Sequence, residues 1–447
     1  MITAEELELT RQALAMAREA GAQEARATLN KSTENLVATL NAEVDKITRC
    51  EDKSLGLSLF VDGRYGSFST NRLEYDSLKA FIGKAVKMTR LLAPDEYRRL
   101  PDAGKVCRNA ISGTETGTYD PEIAKISAEE RIALALGTSA FGTGLDEGKD
   151  WKIISEEGEY SDAEYDMFVA DTSGMECRHM ETCIDYGVEL TIEDSEGDKY
   201  SSYWWESSPR RKDFNATACG KTAAFRAAAQ IGSDAIEGGK YNMVVESDVA
   251  SKVVSPILRA LNGYALQQNN SFLADSLGKK LFPDGLTIMD CPHIPGQTGS
   301  KLFDSEGVAT VEGPIVENGM VKTYFINSYM AGKLGMAQTI EDPTRPKVMP
   351  WPKPGMTRED LMEMCGSGIL VTEFNGGNSN PATGDFSYGI EGFRFEDGKV
   401  VEPVSGMLVT GNFLELWKGL VGIADDARAC MSKLIPTLAF SNVDFNG

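Results

Sequence analysis

GSGILVTEFNGGNSNPATGDFSYGIEGFRFEDGKVVEPV, residues 366–404, is the stretch from which the fold is read. Ile369 to Thr372 form a short apolar run, the pattern of a buried strand. Gly376, Gly377, Asn378, Asn380, Pro381 and Gly384 follow in close succession. Glycine reaches positive φ, proline fixes φ and asparagine bonds its own backbone, so this span predicts a shaped loop rather than a regular element. Loops of that kind on rigid elements often carry function.

Working outward, the C-terminal half reads as strand-rich, with tight turns at Asn318-Gly319 and Asp397-Gly398 and one helix over 247–261. Gly238-Gly239 marks the domain boundary. Upstream, Thr3 and Glu6 predict a capping box for a first helix that Gly21 ends. Residues 35–40 read as a strand, and SLGLSLFVDGRYGSFSTN (54–71) as a hairpin turning at Asp62-Gly63. Asp76 is the expected cap of a helix with Leu78, Phe81, Ile82, Ala85 and Met88 on its apolar face. Ser127 and Glu130 form a second capping box. Runs at 151–154, 165–170, 183–192 and 200–205 predict a strand meander, and 217–230 a helix. The expected class is α+β and multi-domain. An N-terminal α+β domain spans 1–230, with a finer division into 1–110 and 120–230, and a strand-rich C-terminal domain spans 231–447.

The chain has 447 residues, 42% hydrophobic and 25% charged, which are ordinary globular values. With 45 basic against 67 acidic side chains its formal charge is −22. Such a field repels nucleic-acid backbones and anionic lipid, so neither nucleic acid nor membrane is an expected partner. No signal peptide or long apolar span is apparent. The 8 cysteines are scattered singly without CxxC, which reads as buried thiols in a reducing cytoplasm.

Catalytic signatures are scarce. The chain has only 2 histidines, His179 and His293, too far apart to form a local zinc pair. Gly220-Lys221-Thr222 imitates the end of a phosphate loop, but Asn215 stands where its first glycine belongs, and a helix entrance fits better. Gly142-Thr143-Gly144 lacks the third glycine of a dinucleotide fingerprint. Trp204-Trp205 beside Arg210-Arg211 reads as a sheet face with a charged rim. No GxSxG elbow is present.

Four separated segments carry a resemblance: GSKLFDSEGVAT (299–310), IVENGMVKTYFINSYMAGKLG (315–335), the quoted run 366–404, and VTGNFLELWKGLVGIADD (409–426). In that order they resemble the TldD/TldE (PmbA) family, and the hairpin at 54–71 is similar to its N-terminal region. The resemblance implies a cytoplasmic proteolytic assembly of two related subunits. TldD-type chains carry an HExxxH zinc helix with a cysteine as third ligand, whereas TldE/PmbA-type chains share the fold without those ligands. Here the corresponding window, SPILRALNGYALQQ (255–268), has Leu258 and Arg259 in place of His and Glu, and Gly263 in place of the second His. Cys430 falls near the cysteine ligand but stands alone.

The resemblance therefore implies a TldE/PmbA-type chain with no catalytic or metal-binding residues of its own, zinc being expected on a TldD-type partner. Its loop would line a groove for extended, unfolded peptide, with Gly376, Gly377, Asn380, Gly384, Asp385, Phe386 and Ser387 as groove residues. Asp385 would orient the loop and Phe386 pack beneath it. The expected assembly is a heterodimer with a TldD-type subunit, or a homodimer. Two rival readings stay open: a peptide-binding regulatory or interaction protein working as a homodimer, and an active peptidase with a dispersed site.

Overall fold

Alternation of apolar and polar side chains organises the N-terminal lobe into one antiparallel sheet. The computed structural model describes all 447 residues, Met1–Gly447. Helix α1 (Ala4–Glu19) starts at Thr3, whose hydroxyl accepts from Glu6 N while the Glu6 carboxylate accepts from Thr3 N. Both halves of the expected capping box form. Strands β1 (Glu24–Leu40), β2 (Glu43–Val61) and β3 (Arg64–Thr70) follow. Asp62 and Gly63, with φ of 49° and 69°, make the tight turn between β2 and β3.

Helix α2 (Tyr75–Thr89) begins at Glu74, not at the expected Asp76. Asp76 lies in the first turn, where its charge faces the positive helix end. Helix α3 (Ala128–Leu136) is capped by Ser127, but the Glu130 carboxylate turns to Arg211 instead of closing the box. Strands β4 (Trp151–Asp171), β5 (Glu176–Asp194) and β6 (Lys199–Ser208) and helix α4 (Cys219–Ala228) complete the lobe.

The sheet order is β3-β2-β1-β4-β5-β6. The finer division into 1–110 and 120–230 runs across this sheet, since β1 pairs with β2 on one side and β4 on the other. The runs 151–154 and 165–170 prove to be one strand of 21 residues. Its middle reads as polar because several inward positions are acids with buried partners. Glu156 accepts from Ala140 N at 2.7 Å, and Asp162 holds Arg131 at 2.6 Å and Asn35 at 2.9 Å. Pairing meets the cost of burying them, so the strand continues. Ala25, Ala27 and Leu29 pack beneath α1 and α2, while Tyr186, Val188 and Leu190 pack against Ala223 and Ala227 of α4.

The C-terminal unit runs through β7 (Gly239–Val245), α5 (Ser251–Ala260), α6 (Gly263–Gln267), β8 (Ile288–Asp290), β9 (Gly313–Glu317), β10 (Met320–Val321), α7 (Ser328–Leu334) and β11 (Pro346–Val348). It continues with α8 (Arg358–Cys365), β12 (Gly368–Ser379), β13 (Asp385–Glu396), β14 (Lys399–Asn412), α9 (Phe413–Lys418), β15 (Leu420–Ile423) and β16 (Leu438–Asn446). Strands β10-β9-β8-β11 form a small sheet; β14-β13-β12-β7-β16-β15 form a larger one, closed into a barrel by pairing of β14 with β16. Its core holds Trp417, Phe413, Phe440 and Phe445. The whole is α+β and multi-domain. No helix is long and apolar enough to cross a membrane.

The lobes meet along β6. The Arg428 guanidinium lies 4.4 Å from the Trp204 ring and 4.5 Å from that of Trp205, and pairs with Asp248 at 2.9 Å and Glu206 at 3.0 Å. Arg428, joined over Trp204 by Arg226 at 5.1 Å, and not Arg210 or Arg211, therefore supplies the cation on this tryptophan pair. Nearby, Arg226 of α4 and Arg358 of α8 both hold Glu246, at 3.0 and 2.6 Å.

Candidate functional site

The glycine-rich stretch is mostly strand, not the loop its composition suggests. β12 and β13 form a hairpin, and Gly376 and Gly377 lie inside β12 with φ of 65° and 81°. Asn375 pairs with Gly389 and Asn378 with Ser387, so the two glycines bulge out of register. A bulge is how a strand absorbs residues that a ladder cannot. Their reasons for being glycine differ. A Cβ on Gly376 meets nothing, whereas one on Gly377 would overlap the Ser387 carbonyl oxygen and come within 2.6 Å of Tyr388 Cα.

Only residues 380–384 form the turn. Asn380 N donates to Asp385 O and Gly384 N to Asn380 O, both at 2.8 Å. The Asp385 carboxylate accepts from Asn412 Nδ2 at 2.9 Å and Thr383 Oγ1 at 2.6 Å. These bonds, Asn412 first, hold its pKa below the usual value. Phe386 is buried below the turn, stacked between Tyr388 at 5.5 Å and Phe413 at 4.7 Å. Phe272 stacks on Phe413 at 5.9 Å and meets the Gly384 position. The hairpin thus gathers Gly376, Gly377, Asn380, Gly384, Asp385, Phe386 and Ser387 on an aromatic base. Phe272, Asn412 and Phe413 were not anticipated, since they reach the hairpin from distant sequence.

One edge of the hairpin is open. β7 pairs with β12 only at Ile369, Leu370 and Val371, so residues 372–379 have a strand neighbour on the β13 side alone. Thr372 O accepts from Arg226 and Ser379 N donates to Asn378 Oδ1, and the main chain between them, with no second strand beside it, forms a template for an added strand.

The window aligned with a zinc helix is closed. α5 ends at Ala260 and a new N-cap, Asn262, starts α6, so Leu258 and Gly263 stand on separate helices. Leu258 is buried in the core. A Cβ at Gly263 would lie 2.9 Å from Met330 Cβ and 3.1 Å from the Phe325 carbonyl oxygen. No group of three His, Cys, Asp or Glu converges anywhere in the chain. The residues present therefore do not fit a zinc ion.

The remaining sequence candidates have structural partners. His179 is buried, with Nε2 3.2 Å from Glu181 Oε2, and the Nε2 of His293 lies 2.9 Å from Thr310 Oγ1. Burial pushes the Cys430 thiol pKa up, with neighbouring Arg428 opposing it. Gly220 lets α4 approach residues 138–140, where a Cβ would come 2.6 Å from Thr138 O.

With fold and hairpin described, the class of protein follows. The PmbA/TldA metallopeptidase patterns match in order: domain 1 over residues 25–89, the central domain over 121–231 and the C-terminal domain over 238–447. The chain belongs to the PmbA/TldD metallopeptidase family. Among individual relatives, metalloprotease PmbA of Escherichia coli O157:H7 is 27% identical over 425 residues, covering 92% of this chain and 90% of its own. The metalloprotease PmbA homolog of Haemophilus influenzae is 29% identical over 401 residues, covering 86% and 83%. A crystal structure from Bacteroides thetaiotaomicron, of a protein named for modulation of DNA gyrase, is 38% identical and covers 100% of both chains with a TM-score of 0.94. TldE from Thermococcus kodakarensis shares the fold at a TM-score of 0.80 with 19% identity, covering 98% of this chain and 100% of its own.

Proposed function

We propose that this chain is the metal-ligand-lacking subunit of a cytoplasmic TldD/TldE-type zinc metallopeptidase complex acting on unfolded peptides. The observation that carries the reading is the filled window at 258–263. Leucine, arginine and a sterically closed glycine occupy the positions that need two imidazoles and a general base. A chain with that substitution contributes surface rather than chemistry. The open edge of β12, with its glycine bulge, suits main-chain pairing with an extended peptide of any sequence, and the zinc belongs to a TldD-type partner in a heterodimer.

The test is hydrolysis of an unfolded polypeptide by the chain alone and mixed with a TldD-type chain, with bound zinc measured in both. Activity and zinc only in the mixture support the proposal. Chelator-resistant hydrolysis by the isolated chain would replace it with a dispersed active site. A second reading rests on the same open edge: a homodimeric peptide-binding regulator, for which peptide affinity is unchanged by a TldD-type chain.

A further inference from the structure

Two thiols meet where the lobes join. Residues 90–122 contain no helix or strand, and this connector is bonded to both lobes. Toward the C-terminal unit, Cys107 N donates to Gly307 O and Ala309 N to Lys105 O, each at 2.8 Å. Toward the N-terminal sheet, Arg178 N and Met180 N of β5 donate to Ala110 O and Gly113 O, also at 2.8 Å. Cys107 lies between these two seams and meets Cys177 of β5. Cys177 Sγ donates to the Cys107 carbonyl oxygen at 3.4 Å, and the two thiols are hydrogen-bonded to each other. Both belong to one apolar cluster with Val106, Met175 and Phe303.

The two sulfurs are not equivalent. Cys177 is fully buried in a long strand. Cys107 is 2% exposed, but its Sγ lies 3.1 Å from Oδ1 of Asn109, an exposed side chain next to exposed Arg108. No helix or strand holds that segment, so local opening uncovers Cys107 without unfolding either lobe. The bond from the Cys177 thiol first lowers the Cys107 pKa; burial opposes it, and the main-chain N–H groups of Asn109 and Ala110 reinforce it. The same bond first, and then burial, raises the pKa of Cys177. One sulfur is thus stabilised as thiolate beside a second that keeps its proton, the arrangement of an attacking and a resolving cysteine.

We propose that Cys107 and Cys177 are a peroxide-sensitive dithiol, which closes to a disulfide that fastens the connector to β5. In the first step the Cys107 thiolate attacks hydrogen peroxide. An S–O bond forms, the O–O bond breaks, and the departing hydroxide takes up the proton that Cys107 released, giving water and a sulfenic acid. The negative charge that kept Cys177 protonated is then gone. In the second step Cys177 sulfur attacks Cys107 sulfur: the S–S bond forms, the S–O bond breaks, and hydroxide leaves with the Cys177 proton as a second water. Two thiols are oxidised and one peroxide is reduced. The cross-link joins residues far apart in sequence and so restricts the unfolded chain, making the oxidised form the more stable. None of this requires a partner subunit, so it stands or falls independently of the partner-subunit reading.

The experiment treats the full-length chain with hydrogen peroxide in native buffer, alkylates the remaining thiols in denaturant and maps the digest by mass spectrometry. The expected result is a disulfide between Cys107 and Cys177 in most chains, reversed by dithiothreitol, with a higher melting midpoint in the oxidised form. In Cys177→Ala only the first step remains, so dimedone, which traps sulfenic acids, is expected to label Cys107. In Cys107→Ala the attacking thiolate is missing, and Cys177 is expected to stay fully alkylatable after peroxide. The parent alone suffices to overturn the proposal, whether or not the variants fold. Recovery of both thiols alkylated, pairing of Cys107 with another cysteine, or a cross-link that lowers the melting midpoint would each do so. Absence of the dimedone label in folded Cys177→Ala, or peroxide oxidation of Cys177 in folded Cys107→Ala, would overturn it as well.

Discussion

Gly377 lies so close to Ser387 across the hairpin that no side chain fits between them: a Cβ would overlap the Ser387 carbonyl oxygen. Gly376, one residue earlier, has open space at the same point. The pair therefore separates two reasons for glycine, backbone conformation and close approach.

Gly376→Ala is expected to cost about 1 kcal/mol, the penalty for a Cβ at positive φ. Gly377→Ala adds the overlap and is expected to cost about 2–4 kcal/mol. Denaturant unfolding of both variants measures the difference, and equal losses would show that the bulge relaxes freely.

Restoring the zinc ligands by sequence alone is expected to fail. In the triple variant Leu258→His, Arg259→Glu, Gly263→His, the new side chain at 263 meets Met330 and the Phe325 carbonyl. Overpacking of that kind costs about 1–3 kcal/mol. Metal analysis is expected to find no more zinc than in the parent, with a lower melting midpoint. Stoichiometric zinc would mean that the break between α5 and α6 heals.

Asp304 predicts a pH dependence. Burial, and next Glu341, push its pKa up to about 7, although Glu306 N, Val308 N and Glu341 N all donate to it. A folded pKa above the unfolded value of about 3.9 means that folding favours the protonated form. Its stability contribution is complete below about pH 4 and is lost as pH rises to about 7, with a slope of up to roughly 1.4 kcal/mol per pH unit. Unfolding of the parent and of Asp304→Asn across that window is expected to show a steeper decline in the parent. Parallel curves would contradict the assignment.

Arg428→Ala is expected to cost about 3 kcal/mol, since it leaves Asp248 and Glu206 without a cation and empties the space between two indoles. Arg428→Lys keeps the charge but not the planar stacking, and is expected to recover only part of that loss. Thermal melts compare the two, and full recovery by lysine would reduce the contact to simple charge pairing.

The elements legible in the sequence were those specified by local chemistry. Thr3 with Glu6 and Asp62 with Gly63 act within a few residues, and both behave as their spacing implies. Strand β4 was not legible as one piece, because Glu156 and Asp162 face inward and are satisfied by Ala140, Phe141, Arg131 and Asn35 from elsewhere. The hairpin misled in the opposite direction. Glycine and asparagine were read as loop, while cross-strand pairing with β13 carries the chain through the bulge. At the site, the Asp385 and Phe386 positions were legible, but their contacts with Asn412 and Phe413 depend on β14 closing beside β13. The pairing of Asn375 with Gly389 and of Asn378 with Ser387 depends on register, and composition contains no trace of register.

The ladder between β1 and β4 also bears on what a severed chain would do. Residues 142–148 turn through Gly142, Gly144 and Gly148, all at positive φ, in the connection that leads into β4. A protease nick there leaves fragments on either side of the cut that remain registered from Arg26 opposite Asp171 to Leu40 opposite Glu157. The two fragments would separate on a denaturing gel yet elute together as one native particle. That property makes this turn a natural place to divide the gene for reassembly from two separately expressed halves.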